Sequence, residues 1–338
     1  MTPGAEPIET IALDVHAHLV PIIPERLARI NGVVWRAADE TLTVDGHALG
    51  IQNLFRPAAL VAWMDKHRIE RAWISVPPPT YRPKLDAARA REWVGYLNDG
   101  LAAICAAHSG RLAPLHHLPI EHPALAAELA AALIANDARG FSAAAGSMSI
   151  CLSDTALDPL WAQLDARDGF LFLHPGACCD GRLKAFYLEN LLGNPYETSV
   201  AAAHLVFGGV CERFPRIRFC LAHGGGATAI VAGRLQQGYD SKRPGVDLRL
   251  APPRQALRRF MVDSILHDAK LAELAANVFG ETNILFGSDW PFPMGLLDPH
   301  AQLGAFAPAL RRAICRGNAD RLLAELETRI PRSAERRE

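Results

Sequence analysis

The 338-residue chain is half hydrophobic and 21% charged, a balance that supplies a large core and excludes disorder as its overall state. Its 35 Lys and Arg nearly cancel 36 Asp and Glu, and a net charge of −1 leaves no basic field to draw nucleic acid. No window approaches the ~20 apolar residues of a membrane span, and residues 1–9 lack the basic-then-apolar pattern of an export signal.

From the first strand onward, short apolar runs alternate with longer Ala- and Leu-rich stretches, the pattern of successive βα units in a parallel sheet. The runs predict strands at Ile11–Val15, Ala72–Val76, Leu112–Leu118, Gly140–Ala145, Phe170–Leu173, Ile217–Ala222, Phe260–Asp263 and Ile284–Gly287. Helices are expected at Pro57–Lys66, Ala87–Ala107, Ala124–Asn136, Leu157–Asp168, Ser199–Glu212, Ala227–Gln237 and Asp268–Phe279. Eight units fit a closed (β/α)8 TIM barrel of the α/β class, one domain over residues 1–330, with 331–338 a charged tail. After the first strand, Thr41-Leu42-Thr43-Val44 followed by Asp45-Gly46 reads as a hairpin within an insertion over about 31–56. Seven cysteines, odd in number and without a CxxC pair, fit a reducing, cytoplasmic setting. The adjacent Cys178 and Cys179 could bridge only with strain, and no role is assigned to them.

A barrel places its chemistry at the C-terminal ends of its strands, and the polar exceptions fall there. Strand one runs into Asp14-Val15-His16-Ala17-His18, strand five into His174-Pro175, strand six into His223-Gly224-Gly225-Gly226 and strand eight into Ser288-Asp289-Trp290. Side chains alternate along a strand, so His16 and His18 face the same way. A borderline divalent cation such as zinc takes neutral imidazoles and a carboxylate and leaves a position open, which His16, His18, His174 and Asp289 can supply. Asp14 lies one step deeper and is expected to orient a neighbour. Each histidine taken alone is as readily an ordinary hydrogen-bonded residue; their shared position at strand ends favours the metal. His223, followed by three glycines, suits a base or proton shuttle. His116 and His117 cannot both point inward and are read as structural, and His204, His267 and His300 receive no metal-binding role.

The motifs Asp14-Val15-His16-Ala17-His18, Leu173-His174-Pro175, Asp180-Gly181-Arg182, Asn194-Pro195-Tyr196-Glu197-Thr198, Phe207-Gly208-Gly209-Val210, Leu221-Ala222-His223-Gly224-Gly225-Gly226-Ala227 and Gly287-Ser288-Asp289-Trp290-Pro291-Phe292-Pro293 recur in order. Together they resemble those of aminocarboxymuconate-semialdehyde decarboxylase and its relatives, the decarboxylase branch of the amidohydrolase superfamily. The resemblance spans almost the whole chain and is densest over 170–295. It implies one divalent metal, zinc or in some relatives manganese, on His16, His18, His174 and Asp289, with His223 and Asp289 catalytic. Residues 139–150 contain no lysine to bridge a second metal, which favours a mononuclear site. The resemblance further implies a homodimer in which Arg234 reaches across to a carboxylate of a small-molecule substrate. For a second family arginine the register gives Ile51, with Arg56 a nearby substitute. Tyr187 and Phe292 match aromatic positions of the pocket. The implied reaction is non-oxidative decarboxylation of a small aromatic or unsaturated acid. Hydrolysis of a lactone, ester or amide, or hydration of an unsaturated acid, is the alternative on the same barrel. A non-enzymatic metal-binding or interaction protein is the third reading.

Overall fold

In the computed structural model, which describes residues 9–147, 149–176 and 180–328, each of the eight apolar runs becomes a stave of one barrel. The strands in chain order are β1 (Ile11–His18), β2 (Val33–Arg36), β3 (Thr41–Val44), β4 (His47–Leu49), β5 (Ile69–Ser75), β6 (Leu112–Pro114), β7 (His116–His117), β8 (Gly140–Ala144), β9 (Phe170–His174), β10 (Arg218–Leu221), β11 (Met261–Asp263) and β12 (Ile284–Leu285). Parallel ladders run β1–β5–β6 and β7–β8–β9–β10–β11–β12. The run at 112–118 forms two pieces because Leu115 turns its N–H to the Ile74 carbonyl, while Leu118 donates to Ser142 on the other neighbour. The ring closes on β1: Val15 N–H donates to Phe286 O at 2.9 Å, Ser288 N–H to His16 O at 3.2 Å and His18 N–H to Trp290 O at 2.8 Å. Paired on both edges, β1 extends three residues past its predicted end, with a register irregularity between Asp14 and Ala17.

Alternation sorts the strand residues into two apolar layers. Phe170, Phe172, Cys220 and Ala222 pack in one cluster, whereas Leu171, Leu173, Phe219 and Leu221 join the larger core beneath the helices. The predicted helices form, starting or stopping within a few residues of expectation. The helix expected at 199–212 starts earlier, at Asn194, and divides into Asn194–Phe207 and Val210–Arg213, because Gly209 takes a left-handed φ of 66°. Aspartates cap two of these helices: Asp86 accepts from Arg89 N–H before Ala87–Ala107, and Asp268 from Lys270 and Leu271 N–H before Ala269–Phe279.

The insertion contains the small antiparallel sheet β2–β3–β4, turning at Asp45-Gly46 with φ of 48° and 85°. Arg82 ties it to the barrel, its guanidinium donating to both Asp45 carboxylate oxygens at 2.8 and 2.7 Å. No helix among the described residues is long and apolar enough to cross a membrane. Cys178, Cys179 and the tail 331–338 lie outside the described residues.

Candidate metal centre and active site

The strand ends bring four distant side chains to one point. β1 aims His16 and His18 into the barrel, the end of β9 adds His174, and the turn after β12 adds Asp289. One ligand atom from each lies within 4.8 Å of all the others. His16 Nε2 is 3.1 Å from His18 Nε2, and both stand close to Asp289 Oδ1, at 3.3 and 3.2 Å. Asp289 and His223 both sit at φ 55°, a backbone region that side-chain-bearing residues adopt only when their surroundings hold them there. Gly287 makes room for the cluster: a Cβ there would stand 2.8 Å from Asp263 Cβ and 2.9 Å from His16 Cβ.

The hydrogen bonds on the far side of each ring decide what the near side can do. His16 Nδ1 meets the Asp263 carboxylate at 2.7 Å, His174 Nδ1 meets the Pro175 carbonyl at 2.8 Å, and His18 Nδ1 lies 3.4 Å from the Ser75 carbonyl and 3.1 Å from its hydroxyl. Carboxylates and carbonyls only accept, so these contacts place a proton on each Nδ1 and leave the Nε2 lone pairs converging. Lone pairs 3.1 Å apart repel unless a cation or a proton lies between them. His174 Nε2 is buried with no hydrogen-bond partner among the described residues. Three imidazole nitrogens and a carboxylate oxygen fit a divalent ion.

Electrostatics point the same way. Burial disfavours a charged His16, yet the carboxylates of Asp289 and Asp263 overcome it and push its pKa up to about 10. Burial, aided by His223, His16 and His18, drives His174 well below the ordinary imidazole value, and burial also lowers His18. Asp289 is held well below the carboxylate range because His16, His18 and His223 outweigh its burial. Without a metal His16 therefore favours its protonated form, and a divalent ion held by these residues would displace that proton.

The supports include residues that the sequence reading did not single out. Asp263, at the end of β11, holds His16 Nδ1 and accepts from the N–H groups of His223 (2.9 Å), Gly224 (2.7 Å) and Ile265 (3.1 Å). Its position at a strand end was the available signal. Asp14, expected to orient a neighbour, accepts from His16 N–H and Ser288 N–H at 3.0 Å each and from the Ser288 hydroxyl at 2.5 Å. Asp14 thus joins the two segments that carry His16 and Asp289. Burial raises its pKa to about 7.

Two cavities open from this cluster and share His223 and Asp289. The wider, about 590 Å³, is lined by Phe292, Tyr187, Lys184 and Met294 among others; the narrower, about 250 Å³, includes Leu191, Ile230 and His267. His223 Nε2 lies 3.9 Å from Asp289 Oδ2, and its Nδ1 is buried without a partner among the described residues. Phe292 packs edge-on against His18, with centroids 5.5 Å apart. Tyr187 is 64% exposed on the cavity wall. Arg234 is exposed on the helix Thr228–Asp240, and Arg56 bonds Glu40 at 2.5 Å at the surface; neither lines either cavity. His116 and His117 lie in β7, where the buried His117 stacks on Tyr81 with ring centroids 4.5 Å apart. His204 bonds Ser153 and His300 bonds the His67 carbonyl, both away from the cluster.

The sequence profile of the amidohydrolase family matches residues 13–324. The chain belongs to that family. It is 26% identical over 326 residues to the 2-amino-3-carboxymuconate-6-semialdehyde decarboxylase of Dictyostelium discoideum, covering 92% of this chain and 90% of that protein. Its fold matches the crystal structure of 5-carboxyvanillate decarboxylase from Sphingomonas paucimobilis, with a TM-score of 0.75 at 21% identity, over 94% of this chain and 99% of that one. It also matches a dihydroxybenzoic acid decarboxylase from Polaromonas sp. JS666 with bound manganese and 2-nitroresorcinol, with a TM-score of 0.74 at 21% identity, over 93% and 97% of the chains.

Proposed function

We propose that this chain is a metal-dependent, non-oxidative decarboxylase of a small aromatic or unsaturated carboxylic acid. The observation that carries the reading is the convergence of three imidazole Nε2 atoms, each with its Nδ1 turned to an acceptor, and one carboxylate at a cavity floor. The similarity to the Dictyostelium decarboxylase over nine-tenths of both chains selects the reaction. His16, His18, His174 and Asp289 would hold one divalent ion, and the mixed nitrogen and oxygen set favours zinc. Manganese, present in the Polaromonas relative, is the alternative. When bound, the ion supplies Lewis-acid stabilisation of negative charge on substrate oxygens.

The chain's own groups account for the proton. His223 and Asp289, both at the junction of the cavities, form its path to the carbon that bears the carboxylate: one proton taken up from solvent is delivered by His223, or by Asp289 after it has accepted that proton. The new C–H bond forms, the C–C bond to the carboxylate breaks, its electron pair restores conjugation, and carbon dioxide leaves. Phe292 and Tyr187 supply flat apolar surface for the substrate's π-system.

The site is completed in this reading by a second copy of the chain. Phe186, Leu192, Tyr196 and Ile230 are 88%, 55%, 57% and 64% exposed, apolar side chains on the two segments, 181–196 and 228–240, that also line the cavities. Arg234 lies one helical turn after Ile230 and makes no hydrogen bond or ion pair among the described residues, which suits a cation that meets the substrate carboxylate in the partner's site. Five described cysteines are free thiols, four of them buried, which supports a reducing cytoplasmic compartment.

The test is product analysis with purified, metal-loaded protein on hydroxybenzoates and muconate-type acids in heavy-oxygen water. Release of carbon dioxide without solvent oxygen in the remaining product is expected. Incorporated oxygen with no carbon dioxide would replace decarboxylation by hydrolysis or hydration.

A further inference from the structure

The two cavities have Asn190, Asn194, His223, Asp289 and Met294 in common, so a ligand seated where they join lies against these residues. His223 and Asp289 form the proton path of the proposed reaction, and Met294 offers no hydrogen-bond donor. The two asparagines remain. Other polar side chains stand further off: Lys184, Tyr187 and Glu189 line only the wider cavity, and His267 only the narrower one. Asn190 belongs to the wide helical turn Glu189–Gly193, closed by Asn194 N–H donating to the Glu189 carbonyl, and that turn runs directly into the helix Asn194–Phe207. Residues four apart on such a turn share a face, and wide turns of this kind within helices concentrate at functional sites. Both asparagines are half-buried, and neither carboxamide makes a hydrogen bond among the described residues. Buried carboxamides elsewhere are engaged: Asn98 donates to the His117 carbonyl at 3.0 Å, and Asn318 to the Glu281 and Ile284 carbonyls at 2.8 and 2.7 Å.

Charge and hydrogen-bonding capacity define what this pair could meet. At the floor, the carboxylates of Asp289 and Asp263 already match a divalent ion if the imidazoles are neutral, and the shared stretch contributes no fixed positive charge. A further anion there would lose water without gaining a counter-charge. A carboxamide is neutral and both donates and accepts, so it complements an uncharged group that does the same. The proton path at this junction leads to the carbon that loses its carboxylate, which puts the neighbouring ring or chain position beside the asparagines. We infer that Asn190 and Asn194 are specificity-determining residues that hold an uncharged hydroxyl or amino substituent on the carbon next to the one that bears the leaving carboxylate. This inference rests on the decarboxylase reading for its substrate, but not for its test.

Calorimetric titration of manganese-loaded protein with 2-hydroxybenzoate, 2-aminobenzoate and 2-methylbenzoate, three acids of similar shape, reads the contact directly. The hydroxy or the amino acid should bind more tightly than the methyl acid, and the tighter of the two identifies the substituent. Asn190→Leu and Asn194→Leu, checked for unchanged metal content, should each weaken binding of that acid about threefold to tenfold while changing the methyl acid by less than about twofold, as expected for one neutral hydrogen bond. Asn194→Ser, which keeps a group that donates and accepts, should restore part of the preference. Methyl acid binding as tightly as both others overturns the inference. So does a preference that survives intact in both leucine variants, because the metal alone would then produce it, and so do equal losses for all three acids. If the asparagines discriminate the ligands but no acid yields carbon dioxide, the decarboxylase reading fails and the carboxamide site stands.

Discussion

His16, His18, His174 and Asp289 are 0%, 0%, 4% and 6% exposed, anchored at the ends of paired strands, whereas Phe186 and Tyr187, on the cavity wall or beside it, are 88% and 64% exposed on a loop. The floor is held by hydrogen bonds to backbone and carboxylates that reach across the barrel. The wall is held mainly by local turns. Positioning a cation demands tenths of an ångström, while selecting among flat acids needs only shape and charge, so the proposed function puts the chemistry on the buried part and specificity on the exposed one.

The sharpest way to break this comparison is at the floor. Asp289→Asn removes the anionic ligand and one end of the proton path, and should abolish stable metal retention and lower decarboxylation by about 10³-fold or more. Elemental analysis alongside carbon dioxide release measures both, and full metal content with near-normal turnover would refute the assignment. Asp263→Asn is the next test. Losing the acceptor that fixes His16 Nδ1 should lower metal affinity by about 10- to 100-fold while leaving the ligands themselves in place, as a chelator competition would report.

A smaller effect is expected from the histidines of β7, one buried and one half-buried. Burial depresses His116 to about 4 and His117 to about 3, against 6.5 for a free imidazole. Between those values the unfolded chain binds protons that the folded chain refuses, so this part of the stability is complete above pH 6.5 and is lost as the pH falls towards 4. His117→Phe, which keeps a ring on Tyr81, should flatten the fall in thermal midpoint between pH 6.5 and 4; an unchanged slope would show that His117 does not carry it. The smallest change in stability is expected at the wall. Tyr187→Ala should raise the Michaelis constant a few-fold yet shift stability by no more than about 0.5 kcal/mol, and a large loss of stability would show that the wall is part of the core after all.

Much of this architecture was legible from residue order. All eight strand runs, the hairpin at Asp45-Gly46 and the inward alternation of His16 and His18 depend on local periodicity and turn chemistry, and each appears in the structure. Even the sparse Gly140–Ala145 run forms a strand, paired with β9 over five residues. Asp263 escaped notice because nothing within its own segment indicates that it faces a histidine 247 residues away. Arg56 and Lys184 show the reverse problem: both are basic residues on irregular segments, and only the folded surroundings put one on Glu40 and the other on the cavity wall.

What the chain order by itself determined was the set of strands and the chemical type of residue at each end, because side-chain alternation and apolar burial operate within a few residues. Which of those ends share a cation, which carboxylate steadies which ring, and which cation faces the open cavity were decided by closure of the barrel. Closure sets distances between segments hundreds of residues apart, and hydrogen bonds and ligand sites depend on those distances rather than on sequence spacing.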